Sequence, residues 1–247
     1  MVKLNIDSGN RFTKFAIFND KQIVAVYTII NKDINKEKLN EISAGIPALD
    51  YIFVSSVNNY FELFKDMSRK NKTKLITYKD ISNYPIKINY TSPDTLGFDR
   101  IAAAAGAFYL YGGNPLLVID AGTALTIDII TEKGEFCGGA ISPGLQMRFL
   151  ALNSFTDRLP LVKPDENGPV TGNSTLTSIN AGAYRGMIFE IQGFINHYLL
   201  NYKNLKIIMT GGDTEILQLQ LKTTIFAEPN LVLIGLNEIL DSHICHT

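Results

Sequence analysis

The chain has 247 residues, enough for one large domain or two of ordinary size. Hydrophobic residues make up 46% and charged residues 19%, which argues against disorder, and a net charge of −1 leaves no electrostatic footprint for nucleic acid or an anionic membrane. No apolar run approaches the ~18 residues of a membrane-spanning helix, no signal-peptide pattern opens the chain, and Cys137 and Cys245 form no disulfide framework, so the expected setting is a reducing cytoplasm.

Val2 to Ile6 is apolar and β-prone, Phe12 to Phe18 resumes the pattern, and Gln22 to Ile30 gives a third strand. Asp7, Ser8, Gly9 and Asn10 mark the first bend, and Asn19, Asp20 and Lys21 the second. Lys36 to Ala44 reads as a helix and "YIFVSS" as a buried strand. Phe61 to Lys70 is amphipathic and reads as a surface helix; "KLITY" and "IKINY" are short strands. Asp99 to Tyr111 is an alanine-rich helix that opens just after Gly97. Gly112, Gly113, Asn114 and Pro115 break the chain, and the order begins again. "LLVIDAG", "TALTIDIIT" and "EFCGGAIS" are strands, "PGLQMRFLALNSF" a helix and "LPLVKPDENGPV" a loop. Ser174 to Leu200 is helical with glycine interruptions, "LKIIMTGGD" is a strand ending in a glycine turn, and "PNLVLIGLNEIL" is a closing helix with proline at its start.

The two halves can be laid on each other. Ile6-Asp7-Ser8-Gly9 returns as Ile119-Asp120-Ala121-Gly122, about half the chain later, with Thr13 opposite Thr126. Each half reads strand, strand, strand, helix, which points to a duplicated domain. The expected lobes are residues 1–112 and 113–247.

An Asp-x-Gly bend after a buried strand has an ordinary explanation, because both are common turn residues. Its occurrence in both halves favours more: facing lobes would set two such bends across one cleft. Gly9 and Gly122 lack a β-carbon, so a phosphate can approach the backbone. The hydroxyls of Thr13, Thr123 and Thr126 and the amide of Asn10 are candidate donors. Asp7 and Asp120 would repel phosphate and need a cation between; magnesium, held by one or two carboxylates, is the usual mediator. "MTGGD" is a third glycine turn with room for an adenine or ribose, and there is no Walker lysine motif. In "DTLGFDRIAAAAGA", Asp99 is a candidate general base and Arg100 a group that orients the acceptor; the plainer reading makes Asp99 a helix cap and Arg100 a surface charge. His197 sits in an apolar helical run. The tail "HICHT" gathers His243, Cys245 and His246 without a partner cluster, so neither a histidine triad nor a metal site is expected.

In order, "IDSGN", "TLGFDRIAAAAGA", "VIDAGTALTIDII", "GGAISPGL", "TGNSTLTSINAGAYRGM" and "MTGGD" resemble the type III pantothenate kinases, of the acetate kinase, sugar kinase, Hsp70 and actin superfamily. The resemblance implies an α/β fold of duplicated ribonuclease H-like, actin-like ATPase lobes, each a mixed sheet flanked by helices, with a cleft between them. It implies ATP-dependent phosphorylation of the primary hydroxyl of pantothenate, the first step of coenzyme A synthesis. By motif, the first phosphate loop is Asp7, Ser8, Gly9, Asn10, Arg11, Phe12, Thr13 and Lys14, and Thr123 binds ATP from the second. Asp120 helps hold a monovalent cation, potassium or ammonium, required besides magnesium. Asp99 matches the proton acceptor. Gly97, Phe98, Asp99 and Arg100 line the substrate site with Thr175 and Tyr90. Members are homodimers, and the apolar helix Ile101 to Tyr111 would suit a subunit interface or a buried core equally.

One departure stands out. The family's first loop usually reads Asp-x-Gly-Asn-Thr or Asp-x-Gly-Asn-Ser, whereas Arg11 follows Asn10 here and Ser8 replaces an aliphatic residue. Arg11 can meet a phosphate as a charged donor or point to solvent. Two other readings stay open: a sugar or acetate kinase of the same superfamily, and a nucleotide-binding accessory protein without efficient turnover.

Overall fold

The computed structural model describes residues 1–44, 46, 48–56 and 60–245. In chain order the elements are β1 (Val2–Ser8), β2 (Phe12–Asn19), β3 (Gln22–Ile30), a 3-10 turn (Asn31–Asp33), α1 (Lys36–Ala44), β4 (Tyr51–Val54), α2 (Phe61–Asn71), β5 (Lys74–Thr77), β6 (Lys87–Ile88) and α3 (Phe98–Tyr111). There follow β7 (Leu116–Ala121), β8 (Ala124–Ile130), β9 (Glu135–Pro143), α4 (Leu145–Ser154), α5 (Thr175–Asn180), a π turn (Ala181–Arg185), α6 (Gly186–Asn201), β10 (Lys206–Thr210), α7 (Thr214–Gln218), β11 (Phe226–Ala227) and α8 (Leu231–Ile244).

The strands form two sheets. One runs β3-β2-β1-β4-β5; the other runs β11-β10-β7-β8-β9-β6. Read from β9, the second repeats the first: three antiparallel strands, then two parallel ones joined through the first strand of the set. The duplication expected from four residues is therefore present in strand order and direction.

The chain divides into two compact units, Met1–Lys87 with Thr91–Leu110 and Leu231–Thr247, and Ile88–Tyr90 with Tyr111–Asn230. These units follow contacts and differ from the halves 1–112 and 113–247 chiefly at α8. In the first unit β1 is buried on both faces. Leu4 and Ile6 join Phe15, Ile52, Val54 and Phe64 in an apolar core. The alternate residues carry polar groups to α8: Lys3, fully buried, pairs with Asp241 at 2.6 Å, and Asn5 faces Asn237. Breaking a buried ion pair of this kind costs about 3–5 kcal/mol. Glycines set the spacing of α3 and α8. A β-carbon at Gly235 would lie 1.7 Å from the Ala102 carbonyl oxygen, and one at Gly106 would lie 2.3 Å from that of Leu231. Ile101 to Ala107 are thus core residues of their own unit, while Tyr109 and Leu110 further along the same stretch are exposed.

In the second unit Leu117, Ile119, Leu125, Ile127, Phe149, Tyr184 and Ile191 form the core beneath β7 and β8. The expected helix Ser174 to Leu200 is α5, the π turn and α6 in succession. Cys137 and Cys245 are exposed free thiols, and His246 lies outside the described residues. No helix among the described residues is long and apolar enough to cross a membrane.

Candidate active site

The first Asp-x-Gly turn joins β1 to β2. Gly9 N–H donates to the Phe12 carbonyl at 3.1 Å, closing the bend. A β-carbon at Gly9 would sit 3.1 Å from that same oxygen, so the turn is tightest there. Asn10 and Arg11 are exposed, and the Arg11 guanidinium lies over the Phe12 ring, 5.1 Å from its centre. Thr13 differs from expectation. It is 0% exposed, and its hydroxyl donates to Asn31 Oδ1 at 2.9 Å and lies 3.2 Å from Ser8 Oγ. It shapes the turn from beneath.

Strand register explains this. Asp7 pairs with Lys14 and Ser8 with Thr13, whereas Asp120 pairs with Thr126 and Ala121 with Leu125. The first turn holds one residue more than the second, so Thr13 corresponds to buried Leu125 and Lys14 to Thr126. A one-residue offset turns a strand's side chains to the other face. The match of Thr13 with Thr126 made from sequence spacing is therefore displaced by one.

Asp7 ends the buried part of β1. Burial pushes its carboxyl above the ordinary value of 3.8; the Ser55 hydroxyl opposes this, the charge of Asp99 adds to it, and Lys14 opposes it. Ser55 stands just past β4, donates to Asp7 Oδ1 at 3.1 Å and accepts the Ser8 N–H at 3.1 Å. Asp99 is exposed in the first turn of α3, and its Oδ1 accepts the Arg100 N–H at 2.9 Å. The capping role and the exposed carboxylate thus coexist. Gly97 makes the fold-back possible, because a β-carbon there would lie 2.5 Å from Asp99 Oδ1. Arg100 is no surface charge: it is 6% exposed. Phe98 packs among Phe53, Tyr78 and Tyr84, with ring centres 5.9, 5.7 and 6.4 Å away, and so anchors the start of α3.

The second turn joins β7 to β8, and Gly122 N–H donates to the Ala124 carbonyl at 3.1 Å. Thr123 is exposed. Backbone hems this turn in on two sides. A β-carbon at Gly144 would fall 2.2 Å from the Gly122 carbonyl oxygen; one at Gly211 would fall 2.4 Å from the Ala121 carbonyl group and 2.5 Å from Asp120 Oδ1. Gly211 also has φ +97°, a conformation other residues rarely adopt. Asp213 N–H closes the contact on the Ala121 carbonyl at 3.0 Å, and burial raises the Asp213 carboxyl above its ordinary range.

Two predicted substrate residues lie elsewhere in the second unit. Tyr90 is half-buried, edge-on to Phe136 at 5.9 Å, and closes on Gly138, where a β-carbon would meet its ring at 3.0 Å. Thr175 is exposed in the first turn of α5, whose N-cap Ser174 accepts the Thr177 N–H. Asn31, Ser55 and Gly144 were not singled out from sequence. Asn and Ser after strands are too common to stand out, and Gly144 shows only through what its missing side chain would strike.

Magnesium can be tested against the first turn. Among the described residues no three His, Cys, Asp or Glu side chains gather as a metal cluster. Magnesium asks for less, one or two carboxylates plus phosphate oxygens. Asp7, disfavoured as an anion by burial and by Asp99, is a carboxylate that a cation would relieve, so the residues fit.

The sequence profile of the type III pantothenate kinase family matches residues 3–197. A type III pantothenate kinase of Christiangramia forsetii is 40% identical over 240 residues, covering 97% of this chain and 98% of its own. A Campylobacter jejuni crystal structure described as a Baf family transcriptional activator superposes with TM-score 0.63 at 22% identity, covering 96% of this chain and 97% of its own. An Arthrobacter polyphosphate/ATP-glucomannokinase superposes with TM-score 0.50 at 15% identity, covering 98% and 99%, so the fold is that of the actin-like kinases. On its sequence and its fold, the chain belongs to the type III pantothenate kinase family.

Proposed function

We propose that this chain transfers the γ-phosphoryl group of ATP to the primary hydroxyl of pantothenate, giving 4'-phosphopantothenate and ADP at the first step of coenzyme A synthesis. The observation that carries the reading is Asp99, an exposed carboxylate at the start of α3 within electrostatic reach of Asp7 at the first turn, in a chain of this family. Asp99 takes the proton of the acceptor hydroxyl as its oxygen bonds to the γ-phosphorus. The bond from that phosphorus to the β,γ-bridging oxygen breaks, and ADP leaves. Such transfer depends mainly on positioning and charge, so few reactive side chains are needed.

The remaining roles are carried over from the family resemblance, residue by residue. Residues Asp7 to Lys14 hold phosphate, with Thr13 acting from below and Arg11 as a charged donor at the turn's extra position. Thr123 offers its hydroxyl to ATP. Gly97, Phe98 and Arg100 set the acceptor site at α3, and Tyr90 and Thr175 are assigned to the substrate by the resemblance alone. Magnesium, held through Asp7 and phosphate oxygens, supplies charge neutralisation. A monovalent cation, potassium or ammonium, belongs with Asp120, and Asp120→Ala is expected to remove activation by potassium; an unchanged potassium response contradicts that role. The protein works as a cytoplasmic homodimer. Its free thiols suit a reducing compartment, and Phe155, Phe189 and Leu200 of the second unit are exposed apolar side chains available for a partner subunit.

A panel assay tests the reading. ADP release with ATP, magnesium and potassium is expected on addition of pantothenate and not of hexoses or acetate. Turnover with a hexose or acetate alone would assign another branch of the superfamily. ATP binding without turnover on any acceptor would assign an accessory protein.

A further inference from the structure

Asn31 stands immediately after β3, and its side chain and N–H converge on the first turn. Its Nδ2 donates to the Gly9 carbonyl at 2.8 Å and to the Asn10 carbonyl at 3.1 Å. Its backbone N–H donates to the Arg11 carbonyl at 3.0 Å, and its Oδ1 accepts the Thr13 hydroxyl at 2.9 Å. Every carbonyl of the segment between β1 and β2 therefore ends on this residue.

The consequence is electrostatic. In a peptide unit the C=O and N–H point in opposite directions. A turn whose carbonyls are tied to one side presents its amide hydrogens to the other, and successive amides facing one way form an anion site. The Asn10 N–H, on an exposed residue, pairs with no group among the described residues. A carbonyl that rotated outward would instead set a partial negative charge against the phosphate. The Gly9–Phe12 bond fixes only the two ends of this segment, and the Gly9, Asn10 and Arg11 carbonyls between those ends are held by Asn31.

We infer that Asn31 is a positioning residue for nucleotide binding: it holds the Gly9, Asn10 and Arg11 carbonyls away from the phosphate so that the turn reads as cationic. This rests on the phosphate-binding reading of the turn. Asn31 touches neither the reacting atoms nor the acceptor site at α3, so its effect belongs to ATP and not to pantothenate. A mere structural staple would lower stability without that selectivity.

Asn31→Asp separates the two. It keeps the acceptor for Thr13 and replaces the two side-chain N–H donors with an anion; Asn31→Ala removes both. ATP affinity by calorimetry with magnesium, KM for each substrate and Tm are to be measured on the full chain. Both variants are expected to weaken ATP binding and raise the ATP KM, about tenfold for Asn31→Ala and more for Asn31→Asp, with the pantothenate KM within about twofold of wild type. Should Asn31→Ala fail to fold, Thr13→Val, which removes the bond to Oδ1 and the contact with Ser8 Oγ but leaves the Asn31 N–H donors in place, is expected to weaken ATP binding by a few fold with the pantothenate KM unchanged. Unchanged ATP affinity in folded Asn31→Asp overturns the inference, as does a parallel rise in both KM values. Wild-type protein that binds ATP yet phosphorylates no pantothenate refutes the functional reading and leaves the calorimetric comparison standing. Wild-type protein that does not bind ATP refutes both.

Discussion

At the first turn, side chains hold the backbone: Asn31 ties its carbonyls, and Ser55 bridges Asp7 and the Ser8 amide. At the second, backbone holds backbone: Gly144 and Gly211 close on the turn where any β-carbon would collide. The motif and strand order are shared, yet the means of support are opposite. A backbone clamp is rigid and tolerates no added atom. A side-chain clamp accommodates an extra residue, and the first turn contains one.

The largest expected effect tests whether the first turn serves chemistry performed at α3, within its own unit. Asp99→Asn is expected to lower kcat by about 10²–10⁴-fold with ATP binding intact, the range for a positioned general base. Full turnover in a rate assay would remove Asp99 from the role.

Next comes the rigid turn. Gly211→Ala combines a forbidden φ with a clash against backbone and is expected to cost about 2–4 kcal/mol in denaturant unfolding, with loss of ATP binding. Gly212, where an added β-carbon would meet nothing within 4 Å, is the neighbouring control, and Gly212→Ala is expected to keep stability. Equal behaviour of the two variants would end the distinction between the turns.

The side-chain clamp responds more gradually. Ser55→Ala removes a hydrogen bond that favours ionised Asp7, so the Asp7 carboxyl titrates at still higher pH. The acidic limb of the pH profile of kcat/KM is expected to move upward, with activity at its plateau reduced by about tenfold or less. An unmoved limb would show that Ser55 only packs.

The smallest effect is on stability. Folding raises the Asp7 carboxyl above its ordinary value of 3.8. Its contribution is therefore fully present below that value and is lost as the pH rises through the higher folded value, so ionised Asp7 weakens the ligand-free fold at neutral pH. Asp7→Asn is expected to raise Tm by a few degrees at pH 7, with the gain vanishing toward pH 4, while phosphorylation is lost. A Tm that falls at pH 7 would contradict the account. The trade of stability for function is common at active sites.

Much of this was legible beforehand for identifiable reasons. Period-two apolar strands and the repeated Ile-Asp-x-Gly located both sheets and both turns, and the six segments in order identified the family. What escaped the sequence depends on register and long-range contact. The single extra residue in the first turn, which sends Thr13 inward, changes no motif. Asn31 acts across a hairpin on residues about twenty positions earlier, and the burial of Arg100, read from sequence as either an acceptor-orienting group or a surface charge, shows only once α3 is packed. The closing helix α8 reads as the end of the second half, yet its polar partners Lys3, Asn5 and Lys21 all lie at the chain's start.

The most direct test of the central claim is the position of the transferred phosphate. Wild-type protein with ATP, magnesium, potassium and pantothenate should yield, by phosphorus NMR and mass spectrometry, one phosphomonoester on the primary hydroxyl of pantothenate, formed in step with ADP and absent from Asp99→Asn. ADP formed without that ester, or an ester formed as readily by Asp99→Asn, would contradict it.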